Sequence, residues 1–161
     1  MEWLFLLIIL AVVALILMQT LLRTNLSSSE HSYKLRDKFL SPAERSFYGV
    51  LEQAVSDRLK IHAKVRVADV IQPNSPGDRS SWQKAFNKIS AKHFDYVLCD
   101  PATLEVKAAL ELNDSSHSKK KRKSRDEFLG QACESAGLSL IFFEAKAAYS
   151  IDQIREQLEG I

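Results

Sequence analysis

Two cysteines in 161 residues, Cys99 and Cys133, are too few and too irregularly spaced for a disulfide framework or a zinc ribbon. Both read as small buried apolar residues. Glycine is scarce, at 5 residues, and no glycine-rich phosphate loop occurs. No Ser-His-Asp order appears either, which removes the simplest hydrolase reading. There is no internal repeat. The formal net charge is only +2, so any charged surface must come from uneven placement. At the N-terminus the marks of a cleavable leader are missing. Glu2 stands where a positive segment belongs, and no small-x-small site follows the apolar run.

That apolar run is the first feature present. It extends from Trp3 to Met18 and on to Leu22, about the 20 residues a spanning helix needs. Trp3 suits one interface and Arg23 the other. Residues 1–23 are therefore expected to form a transmembrane anchor. Arg23, Lys34, Arg36 and Lys38 all follow the span, which places the rest of the chain on the cytoplasmic side of an inner, single-pass membrane protein. Unpaired cysteines agree with a reducing compartment. Residues 24–38 are polar and serine-rich and read as a linker. The folded domain is expected over 39–161.

The domain opens with a helix start, Ser41-Pro42-Ala43-Glu44: an N-cap, a proline at the first position and a glutamate closing a capping box. Glu44 is fully explained by that box, or else reaches into a site from the first turn. Residues 60–71 alternate as a strand, with Ile61, Ala63, Val65 and Val67 on one face and His62, Lys64 and Arg66 on a basic outer face. A loop holding Pro73, Asn74, Pro76 and Gly77 follows, then a short amphipathic helix whose Trp82 is expected to anchor the core.

Residues 94–117 carry the chemistry. Two apolar strands, 94–100 and 104–112, are joined by a tight turn at Asp100-Pro101. Asp95 starts the first and Glu111 lies near the end of the second. If both face one side, they form half a site for a hard divalent cation. Asn113, Asp114 and His117 cluster just beyond, where strand ends usually carry function. Taken singly, each acid is more simply a solvated strand end. Next comes the densest charge run, Lys119, Lys120, Lys121, Arg122 and Lys123, with Arg125 close behind. Such a run is by default a solvated loop or helix start, and otherwise a contact for phosphate backbones. A helix over 126–136 ends at Gly137, a buried strand spans 138–143, and Ser150 caps a last helix. The whole is α/β: a central mixed sheet of about four strands flanked by helices.

The combination of Leu40-Ser41-Pro42-Ala43-Glu44, the 94–100 strand, Glu111 to His117, Arg125-Asp126 and Ala136-Gly137-Leu138 resembles the domain-of-unknown-function family 2726. More broadly it resembles the restriction-endonuclease-like superfamily of PD-(D/E)xK phosphodiesterases. The resemblance implies a restriction-endonuclease-like core acting on nucleic acid with Mg²⁺ or Mn²⁺. Asp95 and Glu111 would hold the ion, with Glu44, Asn113 and His117 completing the catalytic set. Lys119, Lys120, Lys121, Arg122, Lys123 and Arg125 would grip the backbone. One departure matters: the superfamily's lysine two residues after the glutamate is Asn113 here, and Lys107 on the same strand is the nearest substitute. The rival expectation is an inactive module of the same fold that binds nucleic acid or anionic lipid through the basic segment.

Overall fold

The computed structural model describes residues 2–26, 32–113 and 119–161, the backbone alone being described at 2, 21–26 and 119–124. The chain divides into two units, Met1–Asp37 and Lys38–Ile161.

The first unit contains the helix α1 (Glu2–Leu26). Its window Trp3–Thr20 is apolar, with none of it buried in protein. Eighteen residues at 1.5 Å each span about 27 Å, close to the hydrocarbon thickness of a bilayer. Length and composition suit a membrane span or a signal sequence.

The second unit begins with α2 (Pro42–Val55). The capping box is formed: the Glu44 amide donates to Ser41 Oγ at 3.3 Å, and the Ser41 amide donates to Glu44 Oε2 at 2.8 Å. A 3₁₀ turn leads into β1 (Lys60–Arg66), then α3 (Val67–Val70) and α4 (Arg79–Ile89). The hairpin β2 (His93–Cys99) and β3 (Val106–Asn113) follows. Helix α5 (Lys119–Ser135), β4 (Ser139–Glu144) and α6 (Ile151–Gln157) complete the unit.

The four strands form one sheet in the order β1-β2-β3-β4. The β1–β2 and β2–β3 pairs are antiparallel and β3–β4 is parallel, bridged by α5. Helices cover both faces. Phe47, Leu51 and Val55 of α2 and Ile154 and Leu158 at α6 pack with Tyr96, Leu98 and Leu110. Across the sheet, Ile89, Leu129 and Cys133 pack with Phe94, Val97, Cys99 and Ala109. Strands buried on both sides lose the polar half of their alternation, which is why Tyr96-Val97-Leu98-Cys99 and Ala108-Ala109-Leu110 are unbroken apolar runs. Gly137 ends α5 at φ +71°, where the Leu138 amide donates to the Cys133 carbonyl at 2.9 Å and the Gly137 amide to Glu134 at 3.1 Å. This is a Schellman closure, which needs a left-handed residue.

The structure corrects several local expectations. β1 stops at Arg66 and does not reach Ile71: the Val67 amide is captured by the Lys92 carbonyl at 2.9 Å and the chain coils into α3. Trp82 is not a core anchor; it stacks on Phe86 at 5.0 Å and belongs to neither buried cluster. Helix α5 starts at Lys119, well before Asp126, so the basic run forms its first turns. Ser150 occupies the N-cap of α6 without a side-chain bond to it.

Candidate functional site

The site is built on one row that crosses the sheet. The β1–β2 register runs Ala63–Tyr96 and Val65–Phe94, so Lys64 stands across from Asp95. The β2–β3 register ends at Tyr96–Leu110, one rung before Asp95 and Glu111. Glu111 in turn pairs with Phe142 of β4.

Both β1 and β2 change faces at this row. Ile61 and Ala63 join the α2/α6 cluster whereas Val65 joins the other; on β2, Phe94 and Tyr96 likewise fall in opposite clusters. The cause is visible at Lys64, whose φ is +57°. A side-chain-bearing residue in the left-handed region costs about 1–2 kcal/mol, and mid-strand nothing local compensates it. The expected basic outer face of β1 is therefore broken. Lys64 Nζ turns onto Glu44 Oε1 and lies 2.9 Å from Asp95 Oδ1.

Each acid is now fixed. Glu44 divides its carboxylate, Oε2 closing the capping box and Oε1 accepting from Lys64. Burial pulls its pKa up, but the Lys64 and Ser41 hydrogen bonds outweigh that and leave it below the ordinary value. Burial likewise pulls Lys64 down, and its two carboxylate partners raise it by more. The Tyr96 hydroxyl donates to the Glu44 carbonyl at 2.6 Å, tying the first turn of α2 to the sheet. Asp95 Oδ2 accepts the Leu112 amide at 2.9 Å, reaching across to β3.

Glu111 is the outlier. It is 3% exposed, the one buried charged residue among the described residues. Arg125 of α5 reaches Oε2 at 3.3 Å, but Oε1 has no partner among the described residues. Burial, then the neighbouring Asp95 charge, push its pKa up to about 8 in spite of Arg125. An orphaned buried carboxylate oxygen costs roughly 1–3 kcal/mol. Native structures leave few buried polar atoms unsatisfied, and strongly perturbed acids concentrate at functional sites.

These groups line an open cavity of about 560 Å³. Glu44, Asp95, Glu111, Asn113 and Arg125, all singled out from the sequence, meet there. Lys64, Lys92 and His93 line it as well and were not foreseen as site residues. Nothing local distinguishes Lys64 from any outward lysine on an alternating strand. His93 and Lys92 immediately precede Phe94-Asp95, and adjacency to Asp95 was the available signal. Lys107 does not substitute at Asn113. It sits at the irregularity between β2 and β3 and pairs with Glu105 at 2.8 Å, toward the opposite end of the strand. His117 and the side chains of Lys119, Lys120, Lys121, Arg122 and Lys123 lie outside the described residues. Both thiols are buried, and burial raises the pKa of Cys99 while burial with the nearby Glu111 raises Cys133 to about 11.

Among the described residues no group of three or more His, Cys, Asp or Glu gathers to hold an ion. The pair Asp95 and Glu111 nevertheless fits Mg²⁺ or Mn²⁺. Mg²⁺ typically takes one or two carboxylates and completes its shell with water and phosphate oxygens. A cation beside Glu111 would satisfy Oε1 and relieve the repulsion from Asp95.

No curated protein and no solved structure matches the chain. The family model described as "Protein of unknown function (DUF2726)" matches residues 36–161, which takes in the whole sheet, its helices and every residue of the cavity. The chain therefore belongs to the DUF2726 family.

Proposed function

We propose that the domain is a divalent-metal-dependent phosphodiesterase of restriction-endonuclease-like type that acts on nucleic acid. In this reading α1 anchors it as a single-pass protein, with the domain on the cytoplasmic side. The observation that carries the proposal is Glu111: a buried carboxylate with one unpartnered oxygen, set beside Asp95 at the floor of a cavity rimmed by cations.

Asp95 and Glu111 would hold the ion. Mg²⁺, when bound, acidifies a water molecule and stabilises the charge that builds on the phosphate oxygens. The chain's own groups do the rest. Arg125 and Lys64 offer guanidinium and ammonium donors to non-bridging phosphate oxygens, where preorganised donors count most. Glu44 fixes the position of Lys64, and the Asn113 amide orients water or phosphate at the strand end. Helix α5 begins with Lys119, Lys120, Lys121, Arg122 and Lys123 and has no acid in its first turn. Cations at the positive end of a helix dipole repel it, and a nucleic-acid backbone would neutralise both.

One observation favours a second reading. Lys64 and Arg125 already pair with the carboxylates, and Asn113 occupies the position of the superfamily's lysine. The same fold would then bind nucleic acid or anionic lipid without turnover.

Cleavage assays decide between the two. Supercoiled plasmid, single-stranded DNA and RNA are incubated with Mg²⁺ or Mn²⁺. The expected result is nicking that Asp95→Asn or Glu111→Gln lowers about 100-fold or more while circular dichroism is unchanged. Cleavage without a metal ion, or cleavage that survives both substitutions, contradicts the proposal. Salt-sensitive binding with no turnover selects the second reading.

A further inference from the structure

The left-handed backbone at Lys64 is an unusual conformation for a lysine in mid-strand, and it aims the ammonium at two carboxylates at once. A helix cap and a strand acid, contributed by separate elements, converge on this one cation. Asp95 has no oxygen left over: Oδ2 holds the Leu112 amide and Oδ1 holds Lys64. Glu111, by contrast, keeps Oε1 unpartnered and buried. Half of the carboxylate pair is thus open and the other half is covered by an internal cation. Lys64 remains about one-third exposed and lines the cavity, so its ammonium has room to swing without leaving the site.

Resting on the metal-site reading above, we propose that Lys64 is a resident counter-cation that exchanges. It occupies Asp95 Oδ1 when the site is unloaded. When a divalent cation is bound it gives up that oxygen, keeps Glu44, and turns its ammonium to the substrate phosphate. Glu44 is then a pivot, and the capping box that holds it is part of the device. Lys64 in this role supplies from β1 the positive charge that Asn113 does not supply from β3. The geometry also explains why a strained lysine stands here: an ordinary strand conformation would continue the alternation and point it away.

The test is Mn²⁺ affinity, which needs no turnover. The full chain in mild detergent is titrated calorimetrically beside Lys64→Met and Lys64→Gly. The glycine variant also relieves the left-handed backbone and so guards against misfolding. Both variants are expected to bind Mn²⁺ about five- to tenfold more tightly than the wild type, since no ammonium must be moved. With Mn²⁺ saturating, their affinity for a phosphorothioate-linked thymidine decamer is expected to fall about tenfold; without Mn²⁺ it is expected to stay unchanged. If the wild type binds Mn²⁺ through Asp95 and Glu111 but neither folded variant binds it more tightly, exchange is overturned and the metal site stands. If only the Lys64 variants bind, Lys64 is a fixed plug on Asp95 that does not exchange, and the exchange is overturned together with the wild-type metal reading. If no protein binds Mn²⁺, both are overturned.

Discussion

In metal-free protein, the stability gap between Glu111→Gln and the wild type widens by about 3 kcal/mol as pH rises from roughly 5 to 8. The cause is the folded-state pKa of Glu111, raised from its ordinary 4.5 to about 8 by burial and by Asp95. A raised pKa means that the folded chain holds a proton which the unfolded chain has released. That contribution is fully present below about pH 4.5 and is lost as pH climbs through 8. Glutamine stays neutral at every pH, so it escapes the loss. Groups such as Glu44, whose pKa is lowered, titrate alike in both proteins and cancel in the difference. Urea melts at a series of pH values read the effect directly. Parallel stability profiles for the two proteins would contradict it. Mn²⁺ at a hundred times Kd and pH 8 is expected to close most of this gap, because only the wild type gains from binding, by about 2.7 kcal/mol.

Phe47→Ala is expected to cost about 3–5 kcal/mol, lowering the melting temperature by roughly 10–20 °C. Phe47 is fully buried, with ring centroids 5.7, 4.8 and 5.1 Å from Tyr96, Phe143 and Tyr149. It lies one helical turn after Glu44, on the helix that delivers that residue to Lys64. The cavity left behind would thus loosen the site as well as the core. Thermal unfolding by circular dichroism measures the cost. A loss below about 1 kcal/mol would show that α2 is not held by this cluster.

Much of this arrangement is written in local sequence. Ser41-Pro42-Ala43-Glu44 encodes a helix start that the structure forms bond for bond. The order of the main helices and strands after residue 40 follows from periodicity, and two-sided burial follows from the apolar runs of the hairpin. The hairpin also brings Asp95 and Glu111 together, because an antiparallel register sets the start of one strand against the end of the next. The rest depends on features that no spacing records. The sign of φ at Lys64 is set by tertiary partners, Glu44 and Asp95, which are far away in the chain. Alternation placed Lys64 outside for the same reason that it placed Val67 in a strand: both readings assume that β1 continues undisturbed. Trp82 was assigned to the core as a large aromatic on an amphipathic helix, and that helix places the Trp82–Phe86 stack outside both clusters.

The proposed function requires that Asp95 and Glu111 hold a divalent ion. Calorimetric titration of Mn²⁺ into the full chain, beside the Asp95→Asn/Glu111→Gln double variant, measures it. One saturable site is expected in the wild type and none in the double variant, with both proteins folded. Equal binding by the two, or no binding by folded wild type even with nucleic acid present, would contradict it.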